Sequence, residues 1–101
     1  TAAFTQAMMW EYYPLPVTQQ QLVAGNSSKI ILNGMRAVPV SPSAPVPLRA
    51  WYNKTGSTNG FSAYAVFIPS RKLALIMLAN KWIPNDDRII AAEQIIRALE
   101  E

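Results

Sequence analysis

Three consecutive residues, Lys54, Thr55 and Gly56, combine groups that can hold a small anionic substrate. A lysine ammonium favours bound anions and the charged form of neighbouring acids. The hydroxyls of Thr55 and Ser57 can donate hydrogen bonds to a carboxylate, and Gly56 has no side chain that would block a ligand. The segment therefore predicts a site at which an acidic substrate lies against the chain.

The backbone of residues 56–58 offers a second set of contacts. A substrate amide could lie antiparallel to these residues and pair with them as an added strand. The N–H of Ser57 could then supply half of an oxyanion hole. The plainer interpretation is a hairpin turn in which Gly56 and Gly60 provide backbone freedom and Lys54 is solvated. A bare Lys-Thr-Gly triplet favours this plainer interpretation, because three-residue matches are common.

The composition limits the chemistry that these residues can share. The chain contains no Cys and no His, which removes the usual zinc and redox arrangements and any Ser-His-Asp or Cys-His mechanism within it. We expect neither a metal nor a cofactor. The net charge of +3 comes from nine Lys and Arg residues scattered along the chain, without the basic cluster that binds nucleic acid. We therefore expect a small anionic substrate and no nucleic-acid partner.

The apolar content bears on domain organisation and on membranes. Hydrophobic residues make up 50% of the chain, enough for a packed core, but charged residues make up only 15%, against about 25% in a typical independent domain. We interpret this deficit as surface that more protein covers. The longest strongly apolar run, residues 73–79, is far shorter than the roughly 20 residues of a membrane helix, so no membrane partner is expected.

The elements that must position the Lys-Thr-Gly segment are predicted to be mainly antiparallel strands. Residues 1–9 are predicted as the end of a helix, and the prolines within residues 38–47 predict an extended surface loop. A polar hairpin loop at residues 69–72 predicts that the last three strands form a meander. Strands are predicted at residues 9–13, 29–33, 49–54, 61–68 and 73–80.

A C-terminal helix is predicted from its start signals and its periodicity. Asn85 is the predicted N-cap after Pro84, and Asp86 and Asp87 suit the positive end of the helix dipole. Apolar residues at helical spacing predict that this helix packs on the sheet. The predicted fold class is α+β, an antiparallel sheet with a C-terminal helix packed on it. The apolar stripe consists of Ile89, Ala92, Ile96 and Leu99, widened by Ile90, Ala91 and Ile95.

The surroundings of the triplet are more specific than the triplet itself. It ends a predicted strand, follows Trp51 and Tyr52, and precedes Ser-Thr-Asn-Gly-Phe and a hairpin. Penicillin-recognising serine hydrolases carry Ser-x-x-Lys, then Ser-x-Asn or Tyr-x-Asn, then Lys-Thr-Gly. Residues 53–61, 67–69, 77–81 and 84–85, with Trp10-Glu11, Gly25 and Lys29 further back, resemble the C-terminal part of class C (AmpC-type) serine β-lactamases. The resemblance covers essentially the whole chain.

The resemblance implies a role for each matched residue of this segment. Lys54 would keep a tyrosine-containing proton network poised, and Thr55 would meet the substrate carboxylate. Ser57 would supply main-chain contacts that include the oxyanion donor, beside a substrate-contacting Gly56. Asn59 would lie near the acyl-amide side chain of the substrate.

At the head of the C-terminal helix, the resemblance implies that Asn85 and Arg88 help to receive the substrate carboxylate. Taken alone, Asn85 is also a plain N-cap and Arg88 a first-turn surface charge. The chain departs from the family at Trp82, where many members carry a polar residue. This ring either reshapes the carboxylate end of the site or merely packs over the C-terminal helix.

Two motifs of the family are absent from the chain. No Ser-x-x-Lys and no Tyr-x-Asn occurs, and Ser57-Thr58-Asn59 has the letters of Ser-x-Asn but follows Lys-Thr-Gly instead of preceding it. We therefore interpret residues 1–101 as the C-terminal part of one catalytic domain, in the α/β half of a β-lactamase or penicillin-binding-protein-like fold. An upstream segment of the same protein would carry the nucleophile, and this chain alone would be inactive.

The resemblance implies β-lactam hydrolysis through a serine acyl-enzyme, as in a periplasmic, exported bacterial cephalosporinase that confers antibiotic resistance and is a monomer when complete. One alternative keeps the fold and is a penicillin-binding D-Ala-D-Ala peptidase or a related esterase. Another is that the chain alone is a non-catalytic binding or assembly fragment.

Overall fold

A computed structural model describes residues 4–27 and 46–100 of the chain. Five antiparallel strands form one sheet in which the spatial order is the chain order, β1-β2-β3-β4-β5. The strands are β1 (Thr5–Ala7), β2 (Trp10–Pro14), β3 (Ala50–Thr58), β4 (Phe61–Ile68) and β5 (Leu73–Ala79). The helices are α1 (Gln19–Gly25) and α2 (Asn85–Leu99).

The core lies between one face of the sheet and α2. Strand β4 alternates strictly between buried and less buried residues, as expected when one face of a strand is covered. Tyr64, Val66 and Ile68 from this face pack with Ile89 and Ala92 of α2. The predicted α+β fold with a C-terminal helix packed on an antiparallel sheet is therefore confirmed.

The buried stripe of α2 is narrower than the sequence predicts. Ile89, Ala92 and Ile96 are buried, whereas Leu99 is 62% exposed and Ile95 is 42% exposed. Ile96 and Leu99 both lie in the last turn of α2, yet only Ile96 is buried, so periodicity alone overestimates the buried face.

The helix predicted for residues 1–9 is wrong. Residues Thr5–Ala7 form β1, which pairs with β2 through a tight connection at Met8 and Met9. Met8 adopts a positive φ of 58° and is 93% exposed. The apolar residues of this segment fit a helical stripe, but the segment is too short to form a stable helix by itself. Pairing with β2 satisfies its backbone hydrogen bonds instead.

Helix α1 was not predicted, although its start signal is present in the sequence. Thr18 and Gln21 form a capping box, in which the Thr18 hydroxyl accepts from Gln21 N at 3.1 Å and the Gln21 side chain accepts from Thr18 N at 2.8 Å. This Thr-x-x-Gln spacing marks a helix start. The helix buries Leu22 completely and contacts α2, where Gln19 Nε2 donates to Glu93 Oε2 at 3.2 Å.

The C-terminal meander matches the prediction, with one extension. Strands β3, β4 and β5 pair in sequence, and residues 69–72 form the connecting loop, a 3₁₀ turn followed by Lys72 at φ 52°. Strand β3 runs to Thr58 instead of stopping at Lys54, so the Lys-Thr-Gly residues lie inside the strand. The strand predicted at residues 29–33 and most of the proline-rich loop lie outside the described residues.

Candidate functional site

Strand β3 has two differently paired halves. Strand β2 pairs with residues Ala50–Asn53, while β4 pairs with β3 from Tyr52 to Thr58. Within residues 4–27 and 46–100, Lys54–Thr58 therefore have a paired strand on one side only. We call this stretch the open edge. Unpaired strand edges present main-chain donors and acceptors that an extended ligand can use.

A cavity of about 280 Å³ lies against the open edge, and we call it the edge cavity. It gathers residues from four elements that are distant in sequence. Five of the seven predicted site residues line it, together with one carboxylate from β2 and the end of α1. The lining residues are Lys54, Thr55, Gly56, Ser57, Asn85, Glu11, Gly25 and Asn26.

The alternation of β3 brings the polar side chains to the cavity from two sides. Thr55 lies opposite Tyr64, which places its side chain on the sheet face that α2 covers. Lys54 lies opposite Ala65 on the other face. The Lys54 side chain is exposed and Nζ donates to Thr55 O at 3.1 Å. A ligand at the open edge would therefore have the ammonium on one side and the hydroxyls on the other.

A buried polar network fixes the backbone directly before Lys54. Asn53 is fully buried, and its Oδ1 accepts from Trp51 Nε1 at 3.1 Å and from Tyr64 OH at 2.9 Å. Its Nδ2 donates to Glu11 Oε1 at 3.3 Å. Burial raises the pKa of the Tyr64 phenol well above its usual range. The network pairs the buried polar groups of Trp51, Asn53 and Tyr64 with one another, and it anchors the strand directly before the open edge.

Glu11 lines the cavity although its sequence context indicates no role for it. Its carboxylate lies in the cavity wall on β2. Burial raises the pKa of this carboxyl, and the charge of Lys54 and the hydrogen bond from Asn53 act in the opposite direction. A single Glu with no second acidic residue at a catalytic spacing does not indicate a site in the sequence. Glu11 reaches the cavity only because β2 pairs with β3, which places it opposite Asn53.

The prediction of Asn85 as an N-cap is wrong. Pro84 occupies the cap position without a side-chain hydrogen bond, and Asn85 is the first helical residue. Its side chain reaches back instead, so that Nδ2 donates to Asn26 O at 3.2 Å. Asn26 is itself held by Nδ2 donations to Tyr13 OH at 3.0 Å and to Leu22 O at 2.9 Å. The head of α2 and the end of α1 are thereby joined at the cavity.

Gly25 is required by this junction. A Cβ at Gly25 would lie 2.2 Å from Tyr13 OH and 2.8 Å from a ring carbon of the same side chain. These distances are far below van der Waals contact, so the glycine lets α1 approach β2 closely enough for Asn26 to reach Tyr13. Close packing of α1 against Tyr13 therefore explains the glycine at position 25, which is one of the residues that carry the family resemblance.

Arg88 lies behind the cavity and is not the surface charge that its position in the first turn indicates. It is only 3% exposed. Its guanidinium donates to Gly56 O, Ser57 Oγ, Ala63 O and Ile83 O. Burial lowers the pKa of this guanidinium. The ion pairs within the described ranges, Arg71–Glu100 and Glu93–Arg97, do not include it.

Asn59 and Trp82 lie outside the edge cavity. Asn59 is exposed in the turn between β3 and β4. Trp82 is 56% exposed. Its neighbours are fixed, because Ser62 Oγ donates to Lys81 O at 2.9 Å and accepts from Ile83 N at 2.7 Å.

A second depression, of about 610 Å³, runs past the end of the open edge between β3 and β5. Its lining includes Phe61 and Leu78 and contains no titratable side chain. Sites that orient polar substrates need convergent polar groups, so we place the chemistry at the edge cavity. Across residues 4–27 and 46–100 there is no cluster of three His, Cys, Asp or Glu side chains suited to a metal ion. In the same ranges, neither helix has the length and apolar character to cross a membrane.

Comparison with known proteins identifies close relatives. The sequence model of the family described as Beta-lactamase matches residues 2–100. A β-lactamase of Providencia stuartii is 47% identical over 100 residues, which is 99% of this chain and 26% of the relative.

Solved structures give the same result. A structure described as a β-lactamase/D-alanine carboxypeptidase from Pseudomonas syringae matches with a TM-score of 0.89 and 41% identity, over 96% of this chain and 27% of that one. A class C β-lactamase matches with a TM-score of 0.87 and 42% identity, over 100% of this chain and 26% of that one. The resemblance to class C β-lactamases is confirmed, and the chain spans about a quarter of the length of these relatives.

Proposed function

Because this chain belongs to the Beta-lactamase family, we propose that it forms the substrate-binding edge of a β-lactam hydrolase. The nucleophile of that hydrolase would come from another part of a longer protein, in a Ser-x-x-Lys segment that this chain does not contain. The observation that carries the proposal is the edge cavity, in which an ammonium, two hydroxyls and an unpaired strand edge meet.

The proposed mechanism is acylation of the upstream serine followed by hydrolysis of the acyl-enzyme. Attack on the β-lactam carbonyl develops negative charge on its oxygen, which the N–H of Ser57 would stabilise as an oxyanion donor. Lys54 would provide the positive potential that favours the ionised form of the proton-transferring groups, including a tyrosine of the upstream segment. Water would then release the product. No metal or cofactor takes part in this proposal.

The substrate carboxylate would lie where the edge cavity meets α2. Thr55 and Asn85 line this end of the cavity, and the positive end of the α2 dipole favours an anion there. Arg88 adds a positive charge behind the strand. Gly56 leaves room for the substrate, since a Cβ there would find its nearest atom 3.8 Å away at Ala63. Asn59, in the exposed turn beyond the open edge, would lie near the acyl side chain.

A second candidate reaction has direct support from the structural comparisons. Two matching structures are described as a β-lactamase/D-alanine carboxypeptidase and as a D-alanine carboxypeptidase, with 41% and 39% identity. Both enzymes acylate a serine, and they differ in how fast water releases the acyl group that a β-lactam leaves on it. The same edge cavity would serve both, with a D-Ala-D-Ala carboxylate in place of the β-lactam carboxylate.

Hydrolysis of a chromogenic cephalosporin by an intact protein that contains this chain tests the proposal. Rapid turnover supports the β-lactamase, and a long-lived acyl-enzyme detected by intact mass supports the peptidase. A protein that neither turns over nor becomes acylated would contradict both. We further propose that the intact protein acts as a monomeric, exported enzyme of the bacterial periplasm that contributes to antibiotic resistance. The bacterial β-lactamases among its relatives support this location.

A further inference from the structure

The guanidinium of Arg88 is buried against neutral oxygens. The residue is 3% exposed, and its partners are three main-chain carbonyls and one hydroxyl. Arginines at buried positions usually pair with a carboxylate. The two ion pairs found in residues 4–27 and 46–100 lie elsewhere, so this side chain holds its charge by hydrogen bonding alone.

The four bonds join three elements at one point. Nε donates to Ile83 O at 2.7 Å, before α2 begins, and NH1 donates to Ala63 O on β4 at 3.1 Å. NH1 also donates to Gly56 O at 3.0 Å on the open edge. A guanidinium has five N–H donors in a fixed plane, so these bonds determine its orientation and leave one N–H for any other partner.

The fourth bond sets the direction of a hydroxyl in the cavity wall. NH2 of Arg88 donates to Ser57 Oγ at 2.7 Å. A serine oxygen that accepts from a cation keeps its own hydrogen, which must then point to a different acceptor. Ser57 lines the edge cavity and is exposed. Its O–H is therefore available to donate towards the cavity, and it is polarised by the adjacent positive charge.

We propose that Arg88 is a positioning residue that acts on the substrate carboxylate through the Ser57 hydroxyl and does not bind the carboxylate itself. The inference rests on the proposed function and deepens it. Arg88 holds Ser57 Oγ as an acceptor, so that the Ser57 O–H donates to the carboxylate of the bound β-lactam. Donation by a hydroxyl that a cation has polarised is stronger than donation by a free hydroxyl.

The test compares two cephalosporins on the intact enzyme, one with its free carboxylate and one in which that carboxylate is a methyl ester. The readout is the ratio of kcat/KM for the acid to kcat/KM for the ester. Arg88→Met and Ser57→Ala should each lower this ratio about tenfold, the size expected for one hydrogen bond to a charged group. The double variant should lower it no further, because both changes remove the same donor to the carboxylate.

Two results would overturn the inference. A ratio that falls in the double variant by the product of the two single effects would show that Arg88 contacts the carboxylate directly. A ratio that Arg88→Met leaves unchanged, with kcat lowered for both substrates, would show a structural role only. Arg88→Lys is measured in parallel in case Arg88→Met does not fold, and it should lower the ratio because a lysine cannot bond to four separate oxygens.

The matched control is Arg97→Met, an exposed arginine on the same helix that pairs with Glu93. Its ratio should equal that of the unchanged enzyme. Failure of the proposed function gives a different result from failure of the inference. In the first case the unchanged enzyme does not hydrolyse the free-acid cephalosporin, while in the second it does and only the pattern among variants changes.

Discussion

The two halves of strand β3 differ in their strand pairing and in their burial. Ala50–Asn53 are all buried and pair with β2, and Tyr52 and Asn53 also pair with β4, whereas Lys54–Thr58 are exposed or half-buried and pair with β4 alone. The contrast separates support from chemistry within nine consecutive residues. The first half holds the strand in place, and the second half presents main-chain groups and side chains to a ligand.

The comparison also indicates where substitutions should act. In the first half, the side chains of Trp51 and Asn53 are bound into the core network, so changes there should reduce the free energy of unfolding. In the open edge, Lys54 makes one hydrogen bond and is exposed. Changes there should reduce turnover and leave stability nearly unchanged. These effects are to be measured in the intact protein that contains the chain.

Lys54→Ala should give the largest effect. Loss of the ammonium beside the reacting groups should lower kcat/KM for a cephalosporin by about 10²- to 10⁴-fold, the range for a group that assists proton transfer. The free energy of unfolding should change by less than about 0.5 kcal/mol, as for other exposed positions. Steady-state kinetics and urea unfolding provide the two measurements.

The control for Lys54 is Lys81→Ala, which removes another exposed lysine. Its kcat/KM should stay within about twofold of the unchanged enzyme, as expected for a surface charge outside the site. Near-normal turnover by Lys54→Ala, or an equal loss in the Lys81 variant, would contradict the role given to the open edge.

Asn53→Ala should show the opposite pattern. The change removes the acceptor of Trp51 Nε1 and Tyr64 OH in the core, and unsatisfied buried groups cost about 1–3 kcal/mol. Urea unfolding should detect this loss, and Asn80→Ala at an exposed asparagine should not produce it. If Asn53→Ala were as stable as the unchanged protein, the first half of β3 would not be the support that we describe.

Gly25→Ala should destabilise the wall of the edge cavity that faces β3. The added methyl group overlaps Tyr13, and overpacking of this kind costs about 1–3 kcal/mol. Gly60→Ala is the matched substitution, because a Cβ there meets no atom within 4 Å. Thermal unfolding should show a lower Tm for Gly25→Ala than for Gly60→Ala, and equal values would exclude the close approach of α1 to β2.

Glu11→Gln should give the smallest effect, and it depends on pH. Burial raises the pKa of this carboxyl above 4.5 in the folded protein, so folding favours the protonated form. The resulting stability is present below 4.5 and is lost as pH rises through the folded-state pKa. Unfolding measured from acid to neutral pH should therefore show a stability gain of Glu11→Gln over the unchanged protein that grows with pH. A difference that stays constant would contradict the raised pKa.

The sequence predicted the structure best where strand-forming residues were bounded by clear turn signals or by the Lys-Thr-Gly motif. Strand-forming residues at 61–68 and the polar hairpin loop at 69–72 predicted β4 correctly, and the segment around Lys-Thr-Gly supplies four of the residues that line the edge cavity. Helix α1 was missed because its seven residues are too few to show an apolar stripe at helical spacing, although the capping box of Thr18 and Gln21 is present in the sequence. The helix predicted for residues 1–9 failed because β1 is stabilised by its pairing with β2, which local composition does not encode.

The remaining site features depend on contacts between distant residues. Glu11 reaches the cavity only through strand pairing with Asn53. In the sequence, Arg88 resembles a surface charge because it follows Asp86 and Asp87 in the first turn of the predicted helix. Its burial follows from the placement of the first turn of α2 beside β3 and β4, where Gly56 O, Ser57 Oγ and Ala63 O lie within hydrogen-bond distance. No spacing rule relates residue 88 to Gly56 or Ala63.

The central claim is that the open edge of β3 holds the substrate. A crystal structure of the intact protein acylated by a cephalosporin tests it most directly. We predict that the acyl carbonyl oxygen lies within hydrogen-bond distance of Ser57 N, about 2.7–3.2 Å, with the carboxylate beside Thr55 and the Ser57 hydroxyl. An acyl carbonyl oxygen out of hydrogen-bond reach of Ser57 N, with the acyl group remote from β3, would contradict the account.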